Sequence, residues 1–295
     1  MRWLIGIGLI GLIVGILYAA VSGPRWLSIA DGVMGGGRGV ERVADGVPFG
    51  SHGQTLDVWR PSGAASRRPV VMFIYGGGWV NGDRAAYAFA ARAFAKAGFV
   101  VVVPDYRKVP GVRFPAFVQD GADALRWVHD HVAEYGGDAG RIAVAGHSAG
   151  AYNAVMLAID PRWLRDVGLA PDKIKAVVGL CGPYDFFPFD SKRSIDAFAG
   201  VADGPATQPI HYARPGLPPM LLVTGSADTQ VKPRNAIALA QRLRAAGSPV
   251  ELRDYSGLSH EDVVMALSVP FRGKAPVLHD SVAFLKGALG KGRVP

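Results

Sequence analysis

The sequence contains only one cysteine, Cys181, among its 295 residues. A single thiol excludes an internal disulfide and any metal site built from several cysteines. The apolar residues around this cysteine, in the run VVGLCGPY, favour a small buried side chain; a nucleophilic thiol is the alternative. No pair of histidines has the spacing typical of zinc ligands, so we expect neither a metal ion nor another cofactor.

Charged residues are also scarce, at 19% of the chain, while hydrophobic residues reach 49%. This composition excludes a disordered chain and supplies enough apolar side chains for the core of a large α/β domain. The formal net charge is +8, which could indicate a nucleic acid or an anionic membrane surface as a partner. The lysines and arginines are scattered, however, with no basic run interleaved with aromatic residues. A solvated basic surface is therefore favoured, and no nucleic-acid partner is expected.

The amino terminus lacks charge altogether from Trp3 to Ser22. Twenty helical residues span about 30 Å, the thickness of a bilayer's hydrocarbon core, whereas the apolar part of a secretory signal is usually about 7 to 15 residues. We therefore expect residues 1–24 to be a transmembrane anchor, with residues 3–22 in the membrane and the folded domain outside the cytoplasm. Small residues near position 20 leave a cleaved signal and a secreted protein as the alternative.

A glycine-rich run, GVMGGGRG, occupies Gly32 to Gly39. It lacks the following GK[ST] of a phosphate-binding loop. Glycine-rich segments are typical of flexible linkers, so residues 25–42 are predicted to be a stalk in front of a domain at 43–295.

Beyond the stalk, short apolar runs rich in β-branched residues alternate with longer amphipathic segments. This alternation predicts an α/β fold with a mostly parallel sheet and helices on both faces. The predicted strands are Val43–Val47, Leu56–Trp59, Val70–Tyr75, Phe99–Val103, Ile142–Ala145, Ala176–Leu180, Met220–Thr224 and Val250–Asp254. The predicted helices are Ala85–Ala97, Val118–Glu134, Ala149–Ile159, Asn235–Ala246 and His279–Leu289.

One interval, 182–219, interrupts this alternation because it contains too many prolines for a single helix. Ligands of open α/β sheets bind outside the carboxyl ends of the strands, so an insertion there could line a substrate pocket. A surface loop without a special role is the alternative.

The run IAVAGHSAGAYNAVMLA places Ser148 between a predicted strand and a predicted helix, with glycines at Gly146 and Gly150. A serine on so sharp a turn needs small neighbours, and the turn exposes its hydroxyl above the sheet. We interpret Ser148 as a nucleophile.

A serine hydroxyl needs a base to remove its proton, and a carboxylate to orient that base. Asp228 follows the strand in MLLVTGSADTQV, and His260 follows the strand in LRDYSGLSHEDV. Taken singly, Asp228 could stabilise a turn and His260 could cap a helix. With Ser148 in place, the chain order Ser148, Asp228, His260 favours a catalytic triad.

An attacked carbonyl also needs N–H donors for the oxyanion that forms. Ala149 follows the nucleophile, and the glycines of YGGGW follow the Val70–Tyr75 strand, where further donors are expected.

These blocks resemble the esterase branch of the α/β-hydrolase fold that includes hormone-sensitive-lipase-like carboxylesterases and bacterial feruloyl or acetyl esterases. The resemblance extends from about residue 54 to the end, through YGGGWVNGDR, VVVPDYRKVPGVRFPAFVQDGADALRWV, GGDAGRIAVAGHSAGA and PPMLLVTGSADTQV. It implies a serine carboxylic-ester hydrolase acting on a small-molecule ester. The implied residues are Ser148, Asp228 and His260 as the catalytic triad and Gly77, Gly78 and Ala149 as oxyanion donors.

The sequence departs from the family at Tyr75, where the family usually has a histidine that orients the glycine loop. We expect the tyrosine hydroxyl to replace it. A peptidase, amidase or lipase with the same triad is the first alternative function, and an inactive partner-binding protein is the second.

Overall fold

The computed structural model describes residues 23–63 and 67–290. Eight strands lie along the chain, and from β3 onwards they alternate with helices, as the apolar runs predict, although several strands are longer than expected. The strands are β1 (Val40–Phe49), β2 (Gln54–Pro61), β3 (Arg68–Ile74), β4 (Val100–Pro104), β5 (Gly137–His147), β6 (Ile174–Leu180), β7 (Met220–Gly225) and β8 (Val250–Tyr255).

The eight strands form one sheet in the order β1-β2-β4-β3-β5-β6-β7-β8. Strand β2 is antiparallel to both of its neighbours, β1 and β4. The other six strands, β3 to β8, run parallel to one another. Since parallel strands end at the same edge of a sheet, the loops after β3, β5, β7 and β8 converge there. The predicted mostly parallel sheet is confirmed.

The helices connect these strands. They are α1 (Gly23–Asp31), α2 (Ala88–Lys96), α3 (Ala116–His131), α4 (Ala149–Ile159), α5 (Arg162–Asp166), α6 (Lys192–Ala197), α7 (Arg234–Ala245), α8 (His260–Met265) and α9 (Val277–Leu289). The short α5 and α6 are absent from the sequence-based prediction, because helices of one or two turns leave little periodicity to detect. Helix α1 is also absent from it, because residues 25–42 are predicted to be a flexible stalk.

The core lies on both faces of the sheet. The four successive valines Val100–Val103 of β4 are all fully buried. Because successive side chains in a strand point to opposite faces, burial of all four requires cover on each side. This explains why the inner parallel strands contain continuous apolar runs, whereas the edge strand β8 alternates.

The predicted flexible stalk is folded in the structure. Residues 25–42 comprise most of α1, a π-helical turn at Gly32–Gly36 and the start of β1. Asp31 is buried and accepts hydrogen bonds from Arg92 Nε at 2.8 Å and from the Val269 N–H at 2.8 Å. A Cβ at Gly36 would lie 2.1 Å from an Asp31 oxygen, so a glycine there permits a close approach of the backbone to this carboxylate.

The expected membrane-anchored, extracytoplasmic localisation is also corrected. Across residues 23–63 and 67–290, the structure contains no helix with the length and apolar character needed to cross a membrane. The stretch from Trp3 to Ser22, where the anchor was predicted, lies outside the described residues. The localisation expected from the sequence is therefore not supported.

Candidate active site

Ser148 lies in a strained turn between β5 and α4. Its backbone angles, φ 55° and ψ −124°, are rare for a residue with a side chain. A Cβ at Gly146 would lie 2.3 Å from the Gly150 carbonyl oxygen, and one at Gly150 would lie 2.1 Å from the Ile74 carbonyl oxygen. Both positions therefore require glycine, which is the physical reason for the spacing in GHSAG.

The structure brings Ser148, His260 and Asp228 together at the carboxyl edge of the sheet. Ser148 Oγ is 2.8 Å from His260 Nε2, and His260 Nδ1 is 2.7 Å from Asp228 Oδ2. Asp228 and His260 are both buried. A carboxylate can only accept a hydrogen bond, so Nδ1 carries the proton, which leaves Nε2 able to accept from the Ser148 hydroxyl.

Asp228 also stabilises a turn, which was the alternative interpretation of this residue. Its Oδ1 accepts hydrogen bonds from the backbone N–H groups of Gln230 at 2.9 Å and Val231 at 2.8 Å. The two carboxylate oxygens are thus divided between the turn and the histidine. The backbone bonds to Oδ1 fix the direction in which Oδ2 points.

His260 does not cap a helix, which was the alternative interpretation of this residue. Helix α8 begins at His260, and its cap is Ser259, which forms a reciprocal capping box with Asp262. This box holds the first turn of α8 and so sets where the His260 imidazole enters the site.

The loop after β3 lies directly beside Ser148. A Cβ at Gly76 would lie 3.1 Å from Ser148 Cβ, and one at Gly77 would lie 2.1 Å from the Asn81 carbonyl oxygen. Gly77 has φ 135° and Gly78 has φ 62°, angles that glycine adopts without strain. The Gly77 carbonyl accepts from the Asn81 N–H at 3.0 Å, which closes the turn.

Backbone N–H groups without a protein acceptor lie near this turn. Within residues 23–63 and 67–290, the N–H groups of Gly77, Gly78 and Ala149 donate to no protein acceptor. Ala149 is the first residue of α4, where a helix has unused N–H groups and a partial positive charge. The sequence predicts these same three residues as oxyanion donors, and that role stays a prediction.

The Tyr75 side chain is fully buried below the glycine loop. Its hydroxyl donates to Asp105 Oδ1 at 2.9 Å, and the Arg84 guanidinium binds the second Asp105 oxygen at 2.6 Å. Burial first, then the neighbouring Tyr106 and Asp105, raises the pKa of Tyr75 well above its ordinary value, so the phenol stays protonated.

His147, inside the elbow, is a site residue for which sequence reasoning assigned no role. Its Nε2 is 3.3 Å from the His260 carbonyl oxygen, and its Nδ1 is 3.1 Å from the Tyr87 hydroxyl. Burial, and secondarily the nearby His260, lowers the pKa of His147 well below its ordinary value. A neutral His147 adds no charge that would compete with a protonated His260.

One set of possible metal ligands lies at the site. Donor atoms of Cys181, Asp228 and His260 lie within 4.8 Å of one another. Asp228 and His260 already share a short hydrogen bond, so a cation between them would have to displace that proton. Burial raises the pKa of the Cys181 thiol well above its ordinary value, which disfavours the thiolate that a metal requires.

Aromatic side chains of the 182–219 insertion form a wall next to the glycine loop. The Trp79 ring stacks on Phe186 at 6.1 Å and meets Phe198 edge-on at 5.1 Å between centroids. The aliphatic part of Arg193, on α6, lies against Gly78. The insertion therefore packs on the loop that carries two of the free N–H groups.

The comparisons with known proteins agree with this architecture. The family model named BD-FAE matches residues 56–243. The apo structure of Thermogutta terrifontis esterase 2 has a TM-score of 0.70 and 25% sequence identity, and the match covers 85% of this chain and 95% of that one.

Two curated relatives come from Mycobacterium tuberculosis. Esterase LipC is 32% identical over 229 residues, which cover 70% of this chain and 56% of LipC, so the chain spans little more than half the length of LipC. Carboxylesterase NlhH is 32% identical over 246 residues, which cover 74% of each protein. From the matched family model and this coverage of NlhH, the chain belongs to the BD-FAE family, within the hormone-sensitive-lipase-like and feruloyl-esterase branch of the α/β-hydrolase fold.

Proposed function

We propose that the protein is a serine carboxylic-ester hydrolase that acts on small to medium esters through an acyl-enzyme intermediate. The observation that carries this proposal is the continuous line of hydrogen bonds from Ser148 Oγ through His260 to Asp228, at 2.8 and 2.7 Å. Nucleophile, base and orienting carboxylate at such distances are the parts that acyl transfer requires.

In the acylation step, Ser148 Oγ attacks the carbonyl carbon of the ester while His260 Nε2 takes the hydroxyl proton. The carbonyl oxygen becomes an oxyanion, which accepts hydrogen bonds from the N–H groups of Gly77, Gly78 and Ala149. His260 then gives its proton to the leaving alkoxide oxygen. The alcohol departs, and the acyl group remains on Ser148.

Deacylation repeats these transfers with water. His260 Nε2 removes a proton from a water molecule, whose oxygen attacks the acyl carbon. Collapse of the second oxyanion breaks the bond to Ser148 Oγ, which recovers its proton from His260. The buried Asp228 carboxylate stabilises the imidazolium in both steps and keeps the proton on Nδ1.

The names of similar proteins support this activity. LipC is called an esterase and NlhH a carboxylesterase. Thermogutta terrifontis esterase 2, at 25% identity, has also been solved with propionate bound. A short carboxylic acid is the product expected when a short-chain ester is hydrolysed, which supports small acyl groups as the first substrates to test.

The test compares the wild type with Ser148→Ala on p-nitrophenyl acetate and butyrate. We expect hydrolysis to disappear while the melting temperature stays within a few degrees, because alanine removes one oxygen from a turn held by its glycines. Ser256→Ala, at an exposed position, is the matched control and should retain full activity. Hydrolysis by Ser148→Ala at the wild-type rate would contradict the proposal.

Two further measurements separate the alternatives. A fluorophosphonate probe should label the wild type at Ser148 and leave Ser148→Ala unlabelled, whereas an inactive binding protein would not react. A panel of matched p-nitrophenyl esters, p-nitroanilides and long-chain triglycerides then distinguishes an esterase from an amidase, a peptidase or a lipase.

A further inference from the structure

The hydroxyl of Tyr75 has a defined direction because of its two charged neighbours. Asp105 Oδ1 lies 2.9 Å from it, and Lys108 Nζ lies 2.9 Å from it on another side. A carboxylate only accepts and an ammonium only donates, so the phenol donates to Asp105 and accepts from Lys108. This chain of charge-assisted hydrogen bonds leaves the Tyr75 ring one orientation.

Lys108 contacts both tyrosines of this region. Its ammonium also donates to the Tyr106 carbonyl at 3.0 Å and lies 5.3 Å and 5.2 Å from the ring centroids of Tyr75 and Tyr106. The two rings stack at 4.7 Å, and the Tyr106 hydroxyl donates to the Tyr75 carbonyl at 3.2 Å. Lys108 therefore joins the β4–α3 connection to the residue from which the glycine loop begins.

The glycine loop in turn rests on the Tyr75 ring. A Cβ at Gly82 would lie 2.8 Å from a carbon of that ring, so the end of the loop is in close contact with it. The Trp79 carbonyl accepts from the N–H of Val109, the residue after Lys108, at 2.9 Å. The Tyr75 ring and the residue after Lys108 are thus both in contact with the loop that carries Gly77 and Gly78.

We propose that Lys108 is a positioning residue of the oxyanion hole, which holds the Gly77 and Gly78 N–H groups in place through the hydroxyl of Tyr75. Lys108 touches no reacting atom. This inference rests on the proposed hydrolase activity. It assigns to Lys108 and Tyr75 together the orientation of the loop for which the family uses a histidine.

Two opposing effects act on the charge of Lys108. Burial lowers its pKa from the ordinary lysine value, while the carboxylates of Asp105, Asp83 and Asp120 oppose that change. A protonated amine is the form that donates to the phenol.

The experiment uses Lys108→Met, which keeps the length of the side chain and removes every donor. We expect kcat for p-nitrophenyl acetate to fall about tenfold or more with KM changed less than about twofold. The reason is that displaced Gly77 and Gly78 N–H groups would bind the oxyanion of the transition state less well, with little effect on substrate binding. Lys175→Met, on β6 with an exposed partner in Asp172, is the matched control and should keep wild-type kinetics.

A reversible trifluoromethyl ketone inhibitor distinguishes positioning from general stability. Ser148 Oγ adds to its carbonyl carbon, His260 takes the proton, and the resulting oxyanion occupies the hole. The inhibition constant should therefore rise in Lys108→Met by the same factor as kcat/KM falls. Tyr75→Phe should show the same paired change, and the double variant should lose less than the product of the two single losses.

Lys108→Arg keeps a donor over the same rings and should recover most of the lost kcat, which provides a second test if Lys108→Met is unstable. The inference is overturned if Lys108→Met stays within twofold of the wild type, if its melting temperature falls while the inhibition constant is unchanged, or if the two single losses multiply. Activity of the wild type, and its absence in Ser148→Ala, decide the proposed function separately.

Discussion

Replacing Asp228 by asparagine should nearly abolish turnover without unfolding the protein. Oδ1 of Asp228 accepts two backbone N–H groups at 2.9 and 2.8 Å, and only an oxygen can stay at that position. The new amide group must then turn its NH₂ towards His260 Nδ1, 2.7 Å away in the wild type. Because the amide donates, His260 would have to place its proton on Nε2, where it can no longer accept the proton of Ser148.

A wrong tautomer at such a pair lowers kcat by about 10⁴-fold, which corresponds to about 5.4 kcal/mol of transition-state stabilisation. The assay is kcat for p-nitrophenyl acetate at pH 7, with the melting temperature as the measure of folding. Asp254→Asn, an exposed position on β8, is the control and should change kcat by less than twofold. A loss of less than about tenfold in Asp228→Asn, with the fold intact, would refute the reasoning.

Two further substitutions address the glycine loop after β3 and the contacts of Asp31 at the end of α1. Gly77→Ala places a Cβ 2.1 Å from a loop carbonyl, at φ 135°. We expect kcat to fall by about 10²–10³-fold, as for the loss of one oxyanion donor. A near-normal kcat would contradict the role of this loop. Asp31→Ala leaves the buried Arg92 guanidinium unpaired and should lower the free energy of unfolding, measured in urea, by about 3–5 kcal/mol. Asp45→Ala removes an exposed partner of Arg42 and should cost less than about 1 kcal/mol; equal losses for the two aspartates would argue against docking of the segment through Asp31.

Local patterns in the sequence predict most of the scaffold. Strands β3 to β7 contain short runs of apolar residues, and such runs can only be buried inside a sheet covered on both faces. The turn at Ser148 is equally local, because its two glycines are needed by atoms within a few residues or on the adjacent strand. The chain order of Ser148, Asp228 and His260 then suffices to suggest their association.

Predictions failed where a distant partner decided the structure. The glycine run after Asp31 suggested a flexible stalk, since glycine raises the conformational freedom of an isolated chain. Asp31 nevertheless binds Arg92, 61 residues away, and the N–H of Val269, 238 residues away. Nothing within the run itself indicates those contacts.

Tyr75 illustrates the same division at the candidate site. The sequence identifies it as a departure from the family's histidine and suggests its hydroxyl as the replacement. That the hydroxyl binds Asp105 and Lys108 emerges only when the end of β3 and the loop after β4 are neighbours in the sheet.

The sequence by itself determined the order of the strands and of helices α2, α3, α4, α7 and α9, the strained serine turn and the three residues that could form a triad, because each depends on short-range periodicity, steric limits or chain order. Tertiary structure alone decided that the segment at Asp31 is docked on the domain, that aromatic side chains of the 182–219 insertion pack on Trp79, and that Lys108 contacts the Tyr75 hydroxyl. Those contacts join residues that are distant in the chain, and their energies depend on burial and orientation, which exist only once the sheet has formed.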